Sequence, residues 1–275
     1  MVRRRLDTEL VRRGLAESRT RAQQLIAQRR VTVSGAPAEK AARQVDAAEP
    51  VEVAGDAPEF VSRGGRKLSA ALDRFALDCN GRRIIDAGSS TGGFTDCVLN
   101  RGAASVVAVD VGRNQLHERI RADSRVEVHE QTNIRHVQPG DVGGVADVVV
   151  ADLSFISLRT VAESLVGLVR CDGDLVVLVK PQFEAGRTEA DKGRGIVRDP
   201  AIWRRTLSEV SEALMDRGAA IMGAMASPIT GADGNVEFLL HARNLGLGPL
   251  DVGGLDAGLL DAAVEQAVAD QRLLR

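Results

Sequence analysis

A glycine-rich turn between two apolar segments constrains the fold of this 275-residue chain more than any other feature. The first segment, Arg83 to Asp86, ends in a carboxylate, and helical spacing resumes at Phe94. The intervening glycines therefore occupy a strand-to-helix turn, where glycine lets the backbone pass close to a ligand. The second segment ends at Asp110, where a carboxylate can accept both hydroxyls of a ribose. Together these signals predict a site for a cofactor that contains adenosine.

The glycine spacing separates two classes of cofactor. Dinucleotide-binding turns follow G-x-G-x-x-G, whereas residues 86–92 read D-x-G-x-x-x-G, with no glycine two positions after Gly88. This pattern resembles motif I of class I S-adenosylmethionine methyltransferases, which bind no pyrophosphate. A structural glycine turn in another α/β protein and a degenerate nicotinamide site are the alternatives.

The resemblance implies S-adenosyl-L-methionine as the cofactor. Asn133, just past the third predicted strand, is assigned to the adenine edge, although an ordinary turn asparagine would explain it equally well. The expected cofactor-binding residues are Asp86, Gly88, Ser89, Ser90, Gly92, Gly93, Phe94, Asp110, Val111, Asn133 and Asp152.

Charge is concentrated at the start of the chain. The formal net charge is only −2, but residues 1–35 hold nine arginines against three acidic residues. A basic segment on a near-neutral protein suggests a polyanionic partner, and a solvated helix face is the alternative.

The pattern of predicted helices and strands in this basic segment favours a polyanionic partner over a solvated helix face. Residues 6–14 predict a helix ended by Gly14, Ser18 is the N-cap of a second helix, and residues 31–35 predict a short strand and a turn. This order resembles a small α+β RNA-binding domain found in a small-subunit ribosomal protein, several pseudouridine synthases and bacterial tyrosyl-tRNA synthetases. The resemblance implies that the second helix and the turn contact RNA phosphates. The expected RNA-binding residues are Arg4, Arg19, Arg21, Arg29, Arg30, Arg63, Arg66 and Arg194.

The rest of the chain alternates strands and helices. We predict strands at 83–86, 106–110, 126–128, 147–152, 175–180, 220–226 and 236–241, with helices at about 113–122, 157–170 and 200–217. Such alternation predicts an α/β fold with a doubly wound parallel sheet. The last two strands are joined by only nine residues, so the seventh should be antiparallel, as in a seven-stranded, Rossmann-like methyltransferase sheet. The predicted domains are 1–56 for RNA binding, a linker at 57–63, and a methyltransferase at 64–275.

The ends of the fourth and fifth strands indicate which atom is methylated. Residues 152–155, Asp-Leu-Ser-Phe, lack the Pro-Pro-aromatic sequence that is usual in enzymes that methylate nitrogen. Neither Cys79, Cys97 nor Cys171 follows a strand end, which argues against a cytosine-C5 enzyme. Cys171 is assigned to the turn before the fifth strand. The cysteines also lack C-x-x-C spacing, so neither a disulfide framework nor a metal site is expected. Oxygen is the better target.

The fifth strand is apolar throughout and ends in Lys180, which Pro181 follows. A lysine is rarely buried without a function, although one can extend its ammonium to solvent from a strand end. Lys67, Asp152, Lys180 and Glu237 together resemble the Lys-Asp-Lys-Glu set of FtsJ-type ribose 2′-O-methyltransferases. From about residue 4 to 243 the chain is similar to the TlyA haemolysin/rRNA methyltransferase family. This resemblance implies 2′-O-methylation of cytidine in 16S or 23S rRNA, with ribosomal subunits as partners.

The chemistry explains why such a set is needed. A ribose hydroxyl must lose its proton as it attacks the sulfonium methyl, and we expect Lys180 to accept that proton. The pKa of an ordinary lysine is about 10.4, so desolvation and the charge of Lys67 are expected to lower it. Asp152 is expected to orient Lys180, and Glu237 to hold Lys67 and the ribose.

Several expectations concern the cell rather than the site. Acidic residues follow the basic start where a signal peptide would be apolar, and no apolar stretch has the length of a membrane helix, so a cytoplasmic protein without membrane association is expected. A monomer or weak dimer is expected. Residues 181–199, with Lys192, Arg194 and Arg198, are a candidate substrate lid, or simply a solvated loop. The alternative functions are a non-catalytic RNA-binding ribosome factor and a haemolysin acting on membranes.

Overall fold

The chain divides into two compact units in the computed structural model. The structure describes residues 3–54, 59–186, 195–231, 234–246 and 254–273. The units are Met1–Glu59 and Phe60–Arg275, and each has a hydrophobic core of its own. Phe60 is buried in the core of the second unit, and the Val61 amide donates to buried Asp96, so this end of the sequence-predicted linker packs with the second unit.

The first unit is a small α+β domain. Its helices are α1 (Leu6–Arg12) and α2 (Arg19–Ala27), and the Ser18 hydroxyl accepts from the Arg21 amide as the predicted N-cap of α2. Its strands are β1 (Arg4–Arg5), β2 (Val31–Val33), β3 (Ala36–Pro37), β4 (Gln44–Val45) and β5 (Val51–Val53). Strand β1 pairs with β4, and β2 lies between β3 and β5.

The second unit is built on a seven-stranded sheet, which confirms the predicted α/β fold. Its strands are β6 (Arg83–Ala87), β7 (Ser105–Val109), β8 (Val126–His129), β9 (Ala146–Ala151), β10 (Val169–Val179), β11 (Ala219–Ala226) and β12 (Phe238–Asn244). Their order is β11-β12-β10-β9-β6-β7-β8. Strands β6 to β10 run parallel, and β12 is antiparallel to both neighbours, as the short connection before it predicted.

Helices cover both faces of this sheet. They are α3 (Gly64–Arg74), α4 (Gly93–Asn100), α5 (Glu118–Arg121), α6 (Leu158–Gly167), α7 (Pro181–Glu184), α8 (Pro200–Met215) and α9 (Ala257–Leu273). Neighbouring residues Ile84 and Ile85 enter different cores because side chains alternate along a strand. Both faces are therefore buried, which explains the continuous apolar runs in the sequence. Among the described residues, no helix is both long and apolar enough to cross a membrane.

Two predicted elements differ from the structure. The helix predicted at 113–122 is reduced to Glu118–Arg121, because Asn114 has a left-handed φ of 55° and its amide donates to the Glu130 carboxylate. Strand β10 begins at Val169 rather than 175, so Cys171 lies in a strand and not in a turn. A register shift between Val169 and Asp174, with polar residues inside it, obscures this start in the sequence.

Candidate active site

Two adjoining cavities lie at the carboxyl ends of the parallel strands. The larger has a volume of about 560 Å³, within the range of ligand sites, and the smaller about 170 Å³. Gly88, Ser90, Asp152 and Ser154 line both. A group bound in the larger cavity would therefore face the smaller one across Asp152 and Ser154.

The larger cavity contains a fixed carboxylate. Asp110 follows β7, and its two oxygens accept from the Ser90 amide at 2.8 Å and the Gly112 amide at 2.6 Å. Each oxygen keeps a further lone pair for a ribose hydroxyl. Val109, Ile134 and other apolar side chains give this cavity its apolar wall. These features fit the adenosine part of S-adenosylmethionine.

The other predicted cofactor residues divide between the cavities. Val111 and Asn133 line the larger one, and the Asn133 side-chain oxygen accepts from the Arg135 amide, so its amide nitrogen is the group left for a ligand. The smaller cavity is lined by Ser89, Gly93 and Phe94.

Position 88 requires glycine, because the turn passes close to Asp152, the residue that follows strand β9. The φ of Gly88 is +84°, and a Cβ atom would lie 2.5 Å from the Asp152 carbonyl oxygen. The turn thus packs directly against the residue that separates the two cavities. Any side chain at position 88 would push these segments apart.

Asp86 lies beneath the turn, outside the walls of either cavity. It is fully buried, and one carboxylate oxygen accepts from the Thr95 hydroxyl at 2.6 Å while the other has no partner. Gly92, with a φ of 97°, likewise supports the turn and is the N-cap of α4. In the structure both residues support the turn, and neither lines a cavity.

Burial raises the pKa of Asp86 to about 7, although the Thr95 hydrogen bond opposes this shift. Because the folded state holds the proton more tightly than the unfolded chain, Asp86 contributes stability that is complete below its unfolded pKa. This contribution is lost as the pH rises through about 7. We expect it to fall by roughly 1 kcal/mol per pH unit between pH 5 and 7.

Unfolding of the second unit can be followed by Trp203, the only tryptophan and a buried residue of that unit. Asp86→Asn should remove the pH-dependent contribution of Asp86 to the free energy of unfolding, even if the substitution also changes stability equally at every pH. Equal pH slopes for parent and variant in urea unfolding would contradict this assignment.

The smaller cavity contains two lysine–acid pairs. Lys67 Nζ lies 2.5 Å from Glu237 Oε2, and Lys180 Nζ lies 2.6 Å from Asp152 Oδ1. Lys67, Lys180 and Glu237 are each less than 10% exposed. Lys67, Asp152 and Lys180 line the cavity, with Glu237 behind Lys67. The fold therefore brings together all four residues of the predicted catalytic set.

Gly231 leaves room for the Glu237 carboxylate. A Cβ atom at position 231 would overlap Glu237 Oε1, while the backbone there is not left-handed. We expect Gly231→Ala to displace Glu237 from Lys67 and to lower kcat by about 10- to 100-fold. Gly167→Ala, where the new methyl group enters open space, is the matched control in a methyl-transfer assay. Full activity of Gly231→Ala would show that the position of Glu237 is not critical.

Glu184 joins the two strand ends that carry Asp152 and Lys180. It is buried in α7, accepts from the Leu158 amide at 2.7 Å, and accepts from the Ser157 hydroxyl. Burial raises its pKa. Glu184 lies four residues after Lys180, and no sequence pattern predicted its contacts.

An exposed aromatic side chain stands at the mouth of the larger cavity. Phe155 is 92% exposed, has a φ of 64°, and packs against Phe183 with ring centroids 5.1 Å apart. A left-handed backbone is unusual for a bulky residue and is typical of functional sites. In the sequence, Phe155 lies three residues after Asp152, the last residue of the fourth predicted strand.

Two of the three cysteines, Cys79 and Cys97, are buried and are poorly suited to act as nucleophiles. Burial raises the pKa of Cys79 to about 11 and that of Cys97 to about 12, which keeps both thiols protonated. Cys171 lies near the amino end of β10, whereas Lys180 follows the carboxyl end of the same strand. Within the described ranges, no group of three or more His, Cys, Asp or Glu residues could hold a metal ion.

In the first unit, buried acids pair with some of the arginines. Asp7 binds Arg5 and Arg19, both at 3.0 Å, and hydrogen bonding by Arg5 holds the Asp7 pKa below its usual range. The exposed pair of Arg29 and Glu39 is of the kind that contributes little stability. Arg19, which the sequence assigned to phosphates, is thus oriented by Asp7 but remains 58% exposed.

The remaining predicted RNA-binding residues are spread over both units. Arg4 is exposed in β1, Arg21 donates to the Gln24 side chain, and Arg30 donates to the Ala54 carbonyl. In the second unit, Arg63 donates to the Thr230 carbonyl and Arg66 is exposed on α3. Arg194 and Lys192 lie outside the described residues.

Comparison with known proteins identifies both units. Residues 60–244 match the FtsJ-like methyltransferase family, and residues 4–51 match the S4 domain. The 16S/23S rRNA (cytidine-2′-O)-methyltransferase TlyA of Mycobacterium tuberculosis (strain H37Rv) is 49% identical over 88% of this chain and 90% of its own. Bacillus subtilis YqxC, named as a candidate rRNA methyltransferase, is 44% identical over 89% of this chain and 87% of its own.

A solved structure extends the similarity to the whole chain. A hemolysin candidate from Streptococcus thermophilus superposes with a TM-score of 0.76 at 36% identity, covering 99% of each chain. With the cofactor cavity and the lysine–acid pairs, these matches confirm the predicted enzyme class and cofactor. This chain belongs to the FtsJ-like methyltransferase family, uses S-adenosyl-L-methionine, and carries an S4 domain before its catalytic domain.

Proposed function

We propose that this enzyme methylates the ribose 2′-hydroxyl of a cytidine in ribosomal RNA. The observation that carries the proposal is the smaller cavity, where two lysine–acid pairs adjoin the cofactor cavity. Curated relatives that share most of the chain are named for this reaction on 16S and 23S rRNA.

The residues of the smaller cavity suit a hydroxyl substrate. S-adenosylmethionine supplies a methyl group on a positively charged sulfur. Lys180 would accept the 2′-hydroxyl proton as that oxygen takes the methyl group that S-adenosylmethionine, held in the larger cavity, would supply with loss of its bond to sulfur. Asp152 compensates the resulting ammonium, and Lys67, held by Glu237, binds the ribose oxygens. The total charge is unchanged, because the sulfonium loses its positive charge as Lys180 gains a proton and a positive charge.

The RNA-binding roles rest on the S4 match and on exposed arginines. Arg4, Arg19, Arg21, Arg29 and Arg30 would contact phosphates in the first unit, Arg63 and Arg66 would do so in the second, and we propose the same role for Arg194. The exposed Phe155 ring offers a stacking surface for an unpaired base. The substrate would be an rRNA within a ribosomal subunit, met in the cytoplasm by a monomer or weak dimer without membrane association.

Mass-spectrometric mapping of methylated nucleosides in both rRNAs, with and without this protein, tests the proposal. We expect one or two added 2′-O-methylcytidines, and their absence from both rRNAs would contradict it. The haemolysin alternative predicts lysis of red cells by catalytically inactive Lys180→Ala protein, whereas we expect none.

A further inference from the structure

The surroundings of Lys180 contain a second polar partner besides Asp152. Lys180 Nζ donates a 2.8 Å hydrogen bond to the Ser154 hydroxyl. Ser154 is exposed and lines both cavities, so this bond lies at their junction. The Phe183 ring centroid lies 5.9 Å from the same nitrogen.

The two polar partners of Lys180 act differently. Asp152 Oδ1 is only 2.6 Å from Lys180 Nζ, yet it has no hydrogen-bond partner, so it approaches outside the angular range of such a bond. A charge attraction depends on distance, whereas a hydrogen bond also fixes a direction. The directional contact of Lys180 is therefore the bond to Ser154.

The segment that carries Ser154 is fixed on its carboxyl side. Phe155 has a left-handed backbone, and buried Glu184 accepts from Ser157 and from the Leu158 amide. Glu184 lies only four positions after Lys180, so the same contacts fix both segments relative to each other. Ser154 thus lies on a segment that these hydrogen bonds attach to α7, directly after Lys180.

We propose that Ser154 is the positioning residue that directs Lys180 Nζ toward the reacting hydroxyl, an inference that rests on the proposed function. A neutral amine has two N–H bonds and one lone pair. When one N–H donates to Ser154, rotation about the Cε–Nζ bond is restricted, and the lone pair is held toward the cavity that both residues line. Asp152 then stabilises the ammonium by charge rather than by orientation. The proton passes directly from the 2′-hydroxyl to Lys180, and Ser154 gains and loses no proton.

The test compares Ser154→Ala and Ser154→Thr with the parent enzyme. We expect Ser154→Ala to lower kcat by about 10- to 100-fold, with KM values for cofactor and RNA changed less than about twofold. Threonine keeps the hydroxyl and should restore most of kcat. Ser208→Ala, in helix α8 and in the lining of neither cavity, is the matched control. Unchanged kcat in Ser154→Ala, or equal loss in the threonine variant, would overturn the proposal.

A second measurement does not depend on activity. The chain has four lysines, so the ¹⁵N signal of the Lys180 side chain can be assigned by substitution. We expect Ser154→Ala to accelerate hydrogen exchange at Lys180 Nζ, and an unchanged rate would overturn the proposal. A parent enzyme inactive on ribosomal RNA, with normal Lys180 protection, would instead contradict the proposed function.

Discussion

Replacing Lys180 with alanine is expected to lower kcat for methyl transfer by about two to four orders of magnitude, the usual contribution of a general base. Cofactor affinity should change little, because Lys180 lines only the smaller cavity. Single-turnover transfer of labelled methyl groups measures the first quantity, and calorimetric titration with S-adenosylhomocysteine measures the second.

Lys180→Arg separates proton transfer from charge. Arginine places a permanent positive charge beside Asp152 and cannot be deprotonated in proteins. We therefore expect it to be nearly as inactive as alanine. Substantial activity of Lys180→Arg would mean that the site needs a cation and not a base.

The second large effect concerns the buried pair of Lys67 and Glu237. Lys67→Met leaves Glu237, only 3% exposed, without its ion-pair partner. Breaking such a pair costs about 3–5 kcal/mol, because an uncompensated charge remains buried. We expect this loss in urea unfolding followed by Trp203 fluorescence, together with loss of methyl transfer.

The double variant Lys67→Met/Glu237→Met is the informative control. Removing both charges should recover most of the stability, since apolar replacement of a buried pair is often neutral or stabilising. Activity should remain lost if the pair serves the reaction. A stable and active double variant would reduce Lys67 and Glu237 to a structural role.

Lys67→Met and the double variant remove charges, whereas Gly231→Ala keeps both charges and moves only the Glu237 carboxylate. The three variants together distinguish charge, stability and position at one site. If Gly231→Ala is as stable as the parent but less active, the position of Glu237 matters apart from its charge.

Sequence patterns predicted most of the catalytic sheet. Parallel strands buried on both faces are continuous apolar runs, and their carboxyl ends meet at one edge, so Gly88, Asp110, Asp152 and Lys180 could be placed together. The start of β10 was missed because Arg170, Cys171 and Asp172 interrupt its apolar pattern across a register shift.

Within the site, local patterns could not distinguish a cavity wall from its support. Asp86 and Gly88 stand two residues apart in one motif, yet the structure buries Asp86 under the turn and exposes Gly88 to both cavities. Ser154, in the segment 152–155, and Glu184, four residues after Lys180, had no predicted role. Their partners lie 26 or 27 residues away in sequence, a separation that no local periodicity reports.

The sequence by itself determined the fold class and the cofactor turn, because these depend on periodicity and a short motif, whereas the set of four charged residues came from the family resemblance. The resemblance implied that Glu237 holds Lys67 and that Asp152 orients Lys180, but only the tertiary structure gave the distances within these pairs and the contact of Lys180 with Ser154. Lys67 lies in a helix, and Glu237 precedes an antiparallel strand that begins at the edge where the parallel strands end. Pairing across 170 residues follows from packing, since side-chain contacts depend on distance in space and not along the chain.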